Sequence, residues 1–286
     1  MTLSVVIITH NEEANLVRTL ESVKPLVSDG QGEIIVVDSG STDRTVDIAK
    51  SFGAKVFVEE WKGYAAQKNS AIDKATGDWI LSLDADEEAE PELVEELTGQ
   101  GSDGESIPNT GSREWCLTME HAGRNLDVLK GMPVGFSVCR KNYFLGRWIQ
   151  HGGFWPDPKV RLFKRTMGRF EDRSVHETIQ VSGRVVQIER GAILHHSYAT
   201  LSDYIDHMNR YSSLGAEMVV ADRRRGFSII NIVLRPATTF FYNYVFRLGF
   251  LDGREGLLLH LYHAVYVSWK YAKAWELSRK QQRPSS

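Results

Sequence analysis

LSVVIITHNEEANLVRTLESV, residues 3–23, opens on a nearly unbroken run of apolar and β-branched side chains and then changes period. A strand of that composition is buried on both faces, as in a parallel sheet covered by helices. After Thr9, the residues Leu16, Leu20 and Val23 recur at helical spacing behind an Asn and two Glu residues that suit a helix start. The rhythm then repeats. EIIVVDSGS (33–41), AKVFVEE (54–60) and DWILSLDAD (78–86) read as strands; DRTVDIAKSFG (43–53), YAAQKNSAIDKA (64–75) and PELVEEL (91–97) read as helices. Such alternation implies right-handed βαβ units and an α/β fold with a mostly parallel, Rossmann-like sheet. Ligands of such sheets bind at the carboxyl ends of the strands.

Polar residues gather at those ends: Thr9, His10, Asn11 and Glu12 after the first strand, Asp38, Ser39 and Ser41 after the second, Asp84 and Asp86 after the fourth. A pair of acids near a helix start is commonly a solvated, dipole-stabilising entry. Here Pro91 is the natural first helical residue, so Glu90 and Glu92 serve the helix and the Asp84/Asp86 pair is left at the strand end. Carboxylates placed there are hard oxygen ligands for Mg2+ or Mn2+, which also bind diphosphate oxygens. Asp38 has two uses, capping the amides of a strand-ending turn or accepting a hydrogen bond from a nucleotide base or ribose. The chain has neither G-x-x-x-x-G-K-[ST] nor G-x-G-x-x-G, the phosphate loops of the commonest nucleotide-binding sheets.

At 286 residues, 42% hydrophobic and 25% charged, the chain accommodates one large domain with an appendage. Its net charge of -3 conceals an asymmetry: residues 223–286 carry 11 Lys/Arg against 3 Asp/Glu, which points that part toward an anionic surface. The expected division is 1–200 for the α/β domain, with a mobile Gly/Ser-rich insertion at about 98–132, and 201–286 for a helical, basic and aromatic region. Two cysteines and a first strand that begins at once imply a reducing, cytoplasmic setting. No run reaches the roughly 18 apolar residues of a membrane span.

SVVIITHNEEANLVRTLESV, EIIVVDSGSTDRTVDIAKSFGAKV, GYAAQKNSAIDKATGDWILSLDADE and the later RLFKR and VHE resemble the inverting family 2 glycosyltransferases of GT-A fold. More narrowly, RKNYFLGRWIQHGGFWPDPKVRLFKR, HHSYATLSDYIDHMNRYS and GFLDGREG are similar to the lipopolysaccharide-core β-glucosyltransferase branch. The resemblance implies that Thr9, Asn11 and Glu12 line a nucleotide pocket, that Asp38 contacts the uracil-ribose part of a UDP-sugar, and that Lys68 lies near it. It makes Asp84 and Asp86 the metal–diphosphate motif, with Mg2+ or Mn2+ as cofactor. Glu177 is then the general base and Asp172 the second choice; read alone, residues 171–173 are an exposed ion cluster and His176 a structural histidine. His151 and Trp155 of HGGFWPD become acceptor-side contacts, where the residues alone favour core packing for Phe154 and Trp155. His195 and His196 follow the apolar strand of GAILHH; completing a metal shell, meeting the diphosphate and serving as a satisfied strand-end histidine are all open to them, and neither is assigned as a ligand.

The expected protein is a metal-dependent inverting enzyme that moves a hexose, glucose from UDP-glucose, to a lipid-linked saccharide such as lipopolysaccharide inner core. Its partners are the donor, the acceptor and an anionic membrane surface on the cytoplasmic side, with no nucleic acid. A nucleotidyltransferase, releasing pyrophosphate, and an inactive sugar-nucleotide-binding scaffold are the rival readings.

Overall fold

The structure is a computed structural model and describes residues 2–28, 30, 32–99, 132–171, 178–222 and 227–282. The chain forms two compact units, Met1–Arg140 with Asp157–His195, and Lys141–Pro156 with His196–Ser286. The expected insertion falls almost wholly outside the described residues.

In the first unit, β1 (Leu3–Thr9), β2 (Gly32–Asp38), β3 (Lys55–Val58) and β4 (Trp79–Asp84) are parallel, in the order β3-β2-β1-β4. Alternate residues of β1 enter different cores, which is why its apolar run is unbroken. Val5 and Ile7 pack with Leu16, Leu20 and Val23 of α1 (Leu16–Val23) and with Ala49 of α2 (Thr45–Ser51). Val6 packs on the opposite face with Ile35 and with Ala71 and Ile72 of α3 (Tyr64–Lys74). Burying one such Ile or Leu contributes about 1.5–3 kcal/mol, so helix cover on both faces holds the sheet.

β5 (Glu87–Ala89) follows β4, and α4 (Pro91–Thr98) starts at the expected proline, with Glu90 as its extended cap. α1 begins at Leu16, later than Asn11, because Asn11 takes a left-handed φ of 56° and the amides of Asn15 and Leu16 turn back onto the Glu12 carbonyl. Past β4 the sheet continues antiparallel through β6 (Gly135–Phe144), β8 (Pro158–Lys164) and β11 (Val185–Tyr198), in the order β4-β8-β6-β11-β5. β9 (Gly168–Glu171) and β10 (Thr178–Val181) pair separately. β1 lies between β2 and β4, so successive strands diverge from it; this topological switch point is where an open α/β sheet leaves a crevice at its carboxyl edge.

In the second unit, β7 (Arg147–Trp148) pairs with the end of β6, Tyr143 opposite Trp148. α5 (Leu201–Ala221) starts with a capping box between Thr200 and Asp203, and its Ala216 and Val219 pack on Tyr271 and Ala274 of the long α7 (Gly253–Gln282). Between them, α6 (Arg235–Phe241) is flanked by π-helical turns at Ile230–Leu234 and Tyr242–Phe246. No helix among the described residues is long and apolar enough to cross a membrane.

Candidate active site

The switch-point crevice is built from the loops that end β1, β2 and β4. Asp38 closes β2 fully buried, and its carboxylate accepts from the Thr9 hydroxyl at 2.8 Å, the Gly40 and Ser41 amides at 2.9 and 2.8 Å, and the Ser41 hydroxyl. Four bonds fill the lone-pair sites of a carboxylate. The Asn11 amide donates to Ser41 Oγ at 2.8 Å, and Asn11 Oδ1 accepts from the Thr42 amide at 2.8 Å. The Glu12 amide donates to Thr45 Oγ1 at 2.8 Å. Two loops separated by about thirty residues are thereby held as one rim.

At the end of β4 lies a buried charge cluster. Asp84 Oδ1 pairs with the nearly buried Lys68 at 2.7 Å, and Asp84 Oδ2 accepts from Arg161 of β8 at 3.0 Å. The same Arg161 nitrogen also donates to Glu87, which is fully buried and returns the other oxygen to the Asp84 amide at 3.0 Å. Arg140 lies 3.5 Å from Glu87 and bonds Asp157 at 3.0 Å. Burial opposes ionisation of Asp84, but Lys68 and Arg161 hold its carboxyl far below the usual range. The two carboxylates likewise hold Arg161 firmly charged against burial.

Asp86 is arranged differently. Its Oδ2 lies 3.3 Å from His195 Nε2, and that contact, against burial, lowers its pKa. β5 and β11 create the meeting, because His195 is in register with Glu87, the residue after Asp86. Glu12 lies on the same rim: burial pushes its carboxyl up, as do the neighbouring charges of Asp86, Asp43 and Asp84, against a bond from Asn15. The neighbouring acids thus add to the rise of Glu12, and a divalent cation at such a rim would offset their charge.

Asp86 offers a carboxylate oxygen, a hard donor that suits Mn2+ or Mg2+, and His195, in contact with it at 3.3 Å, an imidazole nitrogen that Mn2+ accepts more readily than Mg2+; the remaining positions would fall to phosphate oxygens and water. No group of three or more metal-binding side chains occurs among the described residues. Asp84, expected as a metal ligand, has each oxygen engaged by a cationic side chain.

The structure thus brings together Thr9, Asn11, Glu12, Asp38, Lys68, Asp84 and Asp86 of the expected residues. Glu177 and Asp172 lie outside the described residues. His151 and Trp155 lie in the second unit. His151 donates its amide to Asp252 at 2.8 Å and places Nδ1 2.9 Å from the same carboxylate; Trp155 meets Trp148 edge-on at 5.4 Å. Arg161 and Glu87 were not singled out from sequence, although an arginine amid the apolar residues of VRLFK implies a buried acidic partner.

Residues 4–155 match the family described as Glycosyl transferase family 2. An uncharacterised glycosyltransferase of Rickettsia felis is 31% identical over 90% of this chain and 83% of its own. The lipopolysaccharide core biosynthesis glycosyltransferase LpsC of Rhizobium meliloti is 28% identical over 99% of this chain and 95% of its own. Among solved structures, the chain is similar to the mannosyltransferase PcManGT of Pyrobaculum calidifontis in complex with GDP-Man and Mn2+, with a TM-score of 0.49 and 16% identity over 96% of this chain and 87% of that one. With the family match spanning more than half its length and the first of these relatives covering nine tenths of it, the chain belongs to glycosyl transferase family 2 and is a glycosyltransferase.

Proposed function

We propose that the protein is a metal-dependent inverting hexosyltransferase that carries glucose from UDP-glucose to a lipid-linked saccharide such as lipopolysaccharide inner core. The observation that carries this reading is the convergence of Glu12, Asp84, Asp86 and His195 with Lys68 at the switch-point crevice. The likeness to LpsC supports the acceptor class. Thr9, Asn11 and Glu12 border the nucleotide, and Asp38 acts by holding the Gly40–Ser41 backbone that faces it. Asp86 and His195 hold Mg2+ or Mn2+, while Asp84 keeps Lys68 and Arg161 in place beside the diphosphate. When bound, the cation supplies positive charge to the departing diphosphate.

In the transfer step the acceptor hydroxyl attacks the anomeric carbon on the face opposite UDP. The new C–O bond forms as the bond to the diphosphate breaks, and the acceptor proton passes to a single carboxylate base, Glu177, with Asp172 as the alternative candidate. The deciding measurement is UDP release and product formation across a panel of UDP-sugars, with and without divalent metal and with a lipid-saccharide extract. Transfer from UDP-glucose that EDTA abolishes supports the reading; unchanged transfer in EDTA, or release of pyrophosphate, sinks it. Asp86→Asn should lower metal-dependent UDP binding at least tenfold, whereas Glu177→Gln should bind donor and lose transfer.

The second unit engages the anionic membrane surface. Between Phe227 and Leu251 the only charged residues are Arg235 and Arg247, and large apolar side chains stand exposed, Ile229 at 72% and Phe246 at 77%. Apolar side chains with arginines among them suit insertion into the headgroup boundary. A second copy of the same face would set arginine against arginine with no acid to pair them, whereas lipid phosphates supply that partner.

A further inference from the structure

The second unit also holds a cavity of about 510 Å³ that the transfer step does not use. It falls within the roughly 300–1,000 Å³ of small-molecule sites. Tyr143, Arg147, Trp148, Gln150 and Glu255 supply its chemistry. Tyr143 and Trp148 are cross-strand partners of β6 and β7, which sets their rings side by side on one face. Both rings have close neighbours: His196 stacks on Tyr143 at 5.0 Å, Trp155 meets Trp148 edge-on at 5.4 Å, and the Lys141 ammonium lies 4.8 Å from the Trp148 ring centroid.

Several polar groups here have hydrogen-bonding capacity that the described residues leave unused. Trp148 Nε1 is buried and has no hydrogen-bond partner among the described residues, although a buried indole N–H ordinarily finds one. Arg147 and Glu255 face each other at 3.9 Å, the outer limit of an ion pair, so each retains hydrogen-bonding capacity. The Gln150 backbone is anchored by Asp252 at 3.2 Å, which fixes the point from which its carboxamide extends. A planar guanidinium, a carboxamide and a carboxylate match pairs of adjacent hydroxyls, each as a two-point donor or acceptor. Aromatic rings match the apolar C–H faces of a pyranose.

We propose that this cavity is a saccharide-binding subsite that takes one pyranose of the acceptor glycan, with Trp148, Gln150, Arg147 and Glu255 as its recognition residues. The proposal rests on the acceptor being a saccharide, as the transfer reading holds.

The test is nuclear magnetic resonance of the full chain with 15N-labelled tryptophan, the Trp148 indole signal being assigned by Trp148→Phe. The probes are deacylated lipopolysaccharide inner-core oligosaccharide, the methyl glycosides of glucose, mannose and galactose, and UDP, with transfer measured in parallel. The expected result is a saturable shift of the Trp148 indole with saccharide and none with UDP. Gln150→Ala should weaken the saccharide effect about fivefold to tenfold, the loss of one hydrogen bond, while the other indole signals keep their positions. Product formation without movement of the Trp148 signal overturns the subsite and leaves the transfer reading standing. A saccharide-induced shift without product overturns the acceptor assignment and upholds the subsite. A shift driven by UDP, or no response to any saccharide together with no product, overturns the subsite.

Discussion

Asp38 accepts four hydrogen bonds from its own surroundings, so its replacement is felt first as instability. Asp38→Ala would strand the Thr9 hydroxyl and two amides, and chemical denaturation should show a loss of about 2–4 kcal/mol, with donor affinity falling as a consequence. Gly152 is constrained from the other side: with φ 68°, a Cβ there would sit 2.0 Å from His260 Cε1. Gly152→Ala should cost about 1–3 kcal/mol by overpacking, read as a lower denaturation midpoint. The space beside the Gly152 backbone is thus filled by the chain's own imidazole. His260 itself is buried, and both ring nitrogens lack partners among the described residues. Burial, then the nearby His263, push its pKa down to about 4, with Asp252 opposing. The folded value lies below the ordinary 6.5, so the unfolded chain takes up the proton first. Stability should be complete above pH 6.5 and fall as pH drops toward 4; His260→Phe should flatten that slope in denaturant titrations across the window.

At the scale of elements, β11 and α4 meet so closely that Gly191, at φ 77°, would place a Cβ 2.3 Å from the Leu93 backbone nitrogen. The obstacle is backbone, so relaxation is expensive: Gly191→Ala should destabilise by about 2–4 kcal/mol and lower donor affinity, because β11 carries His195 to Asp86. Elements with strong local signals were legible from sequence. The βαβ alternation located β1 to β4, and Pro91 marked the start of α4. β5 was not legible, since EEA carries no strand pattern and becomes a strand only through pairing with β11 a hundred residues later. The candidate site divides along the same line. Strand-end position alone marked Asp38, Asp84 and Asp86, whereas the pairings of Asp84 with Lys68 and Arg161 and of Asp86 with His195 depend on tertiary register that no local pattern encodes. The basic residues of the last helix were expected to face lipid, but Lys273 donates to Asn209, Ser212 and Ser213 of α5, and Lys280 pairs with Glu276. Their charge is partly spent within the unit.

For the whole molecule, binding energy and stability are linked. UDP with Mn2+ at a hundred times its Kd should add about 2.7 kcal/mol to the folded state, seen as a raised Tm that EDTA reverses. Membrane engagement should combine two terms, a headgroup attraction that 0.5 M salt weakens and an apolar insertion that it does not. In flotation with vesicles containing phosphatidylglycerol, a double change of Ile229 and Phe246 to Ser should reduce binding more than tenfold. Equal binding by the double variant would remove the Phe227–Leu251 face from the interaction. The antiparallel closure of the sheet also has a consequence during synthesis. β4 gains its second neighbour only when β8 arrives, roughly 80 residues later. At about 5–20 residues per second, translation alone leaves that edge without its partner for roughly 4–16 s. An open edge of Trp79, Ile80 and Leu81 is a template for pairing with another nascent chain. Synonymous slow codons between β4 and β8 would prolong the exposure, and holdase chaperones that bind emerging apolar strands should be most needed in that interval.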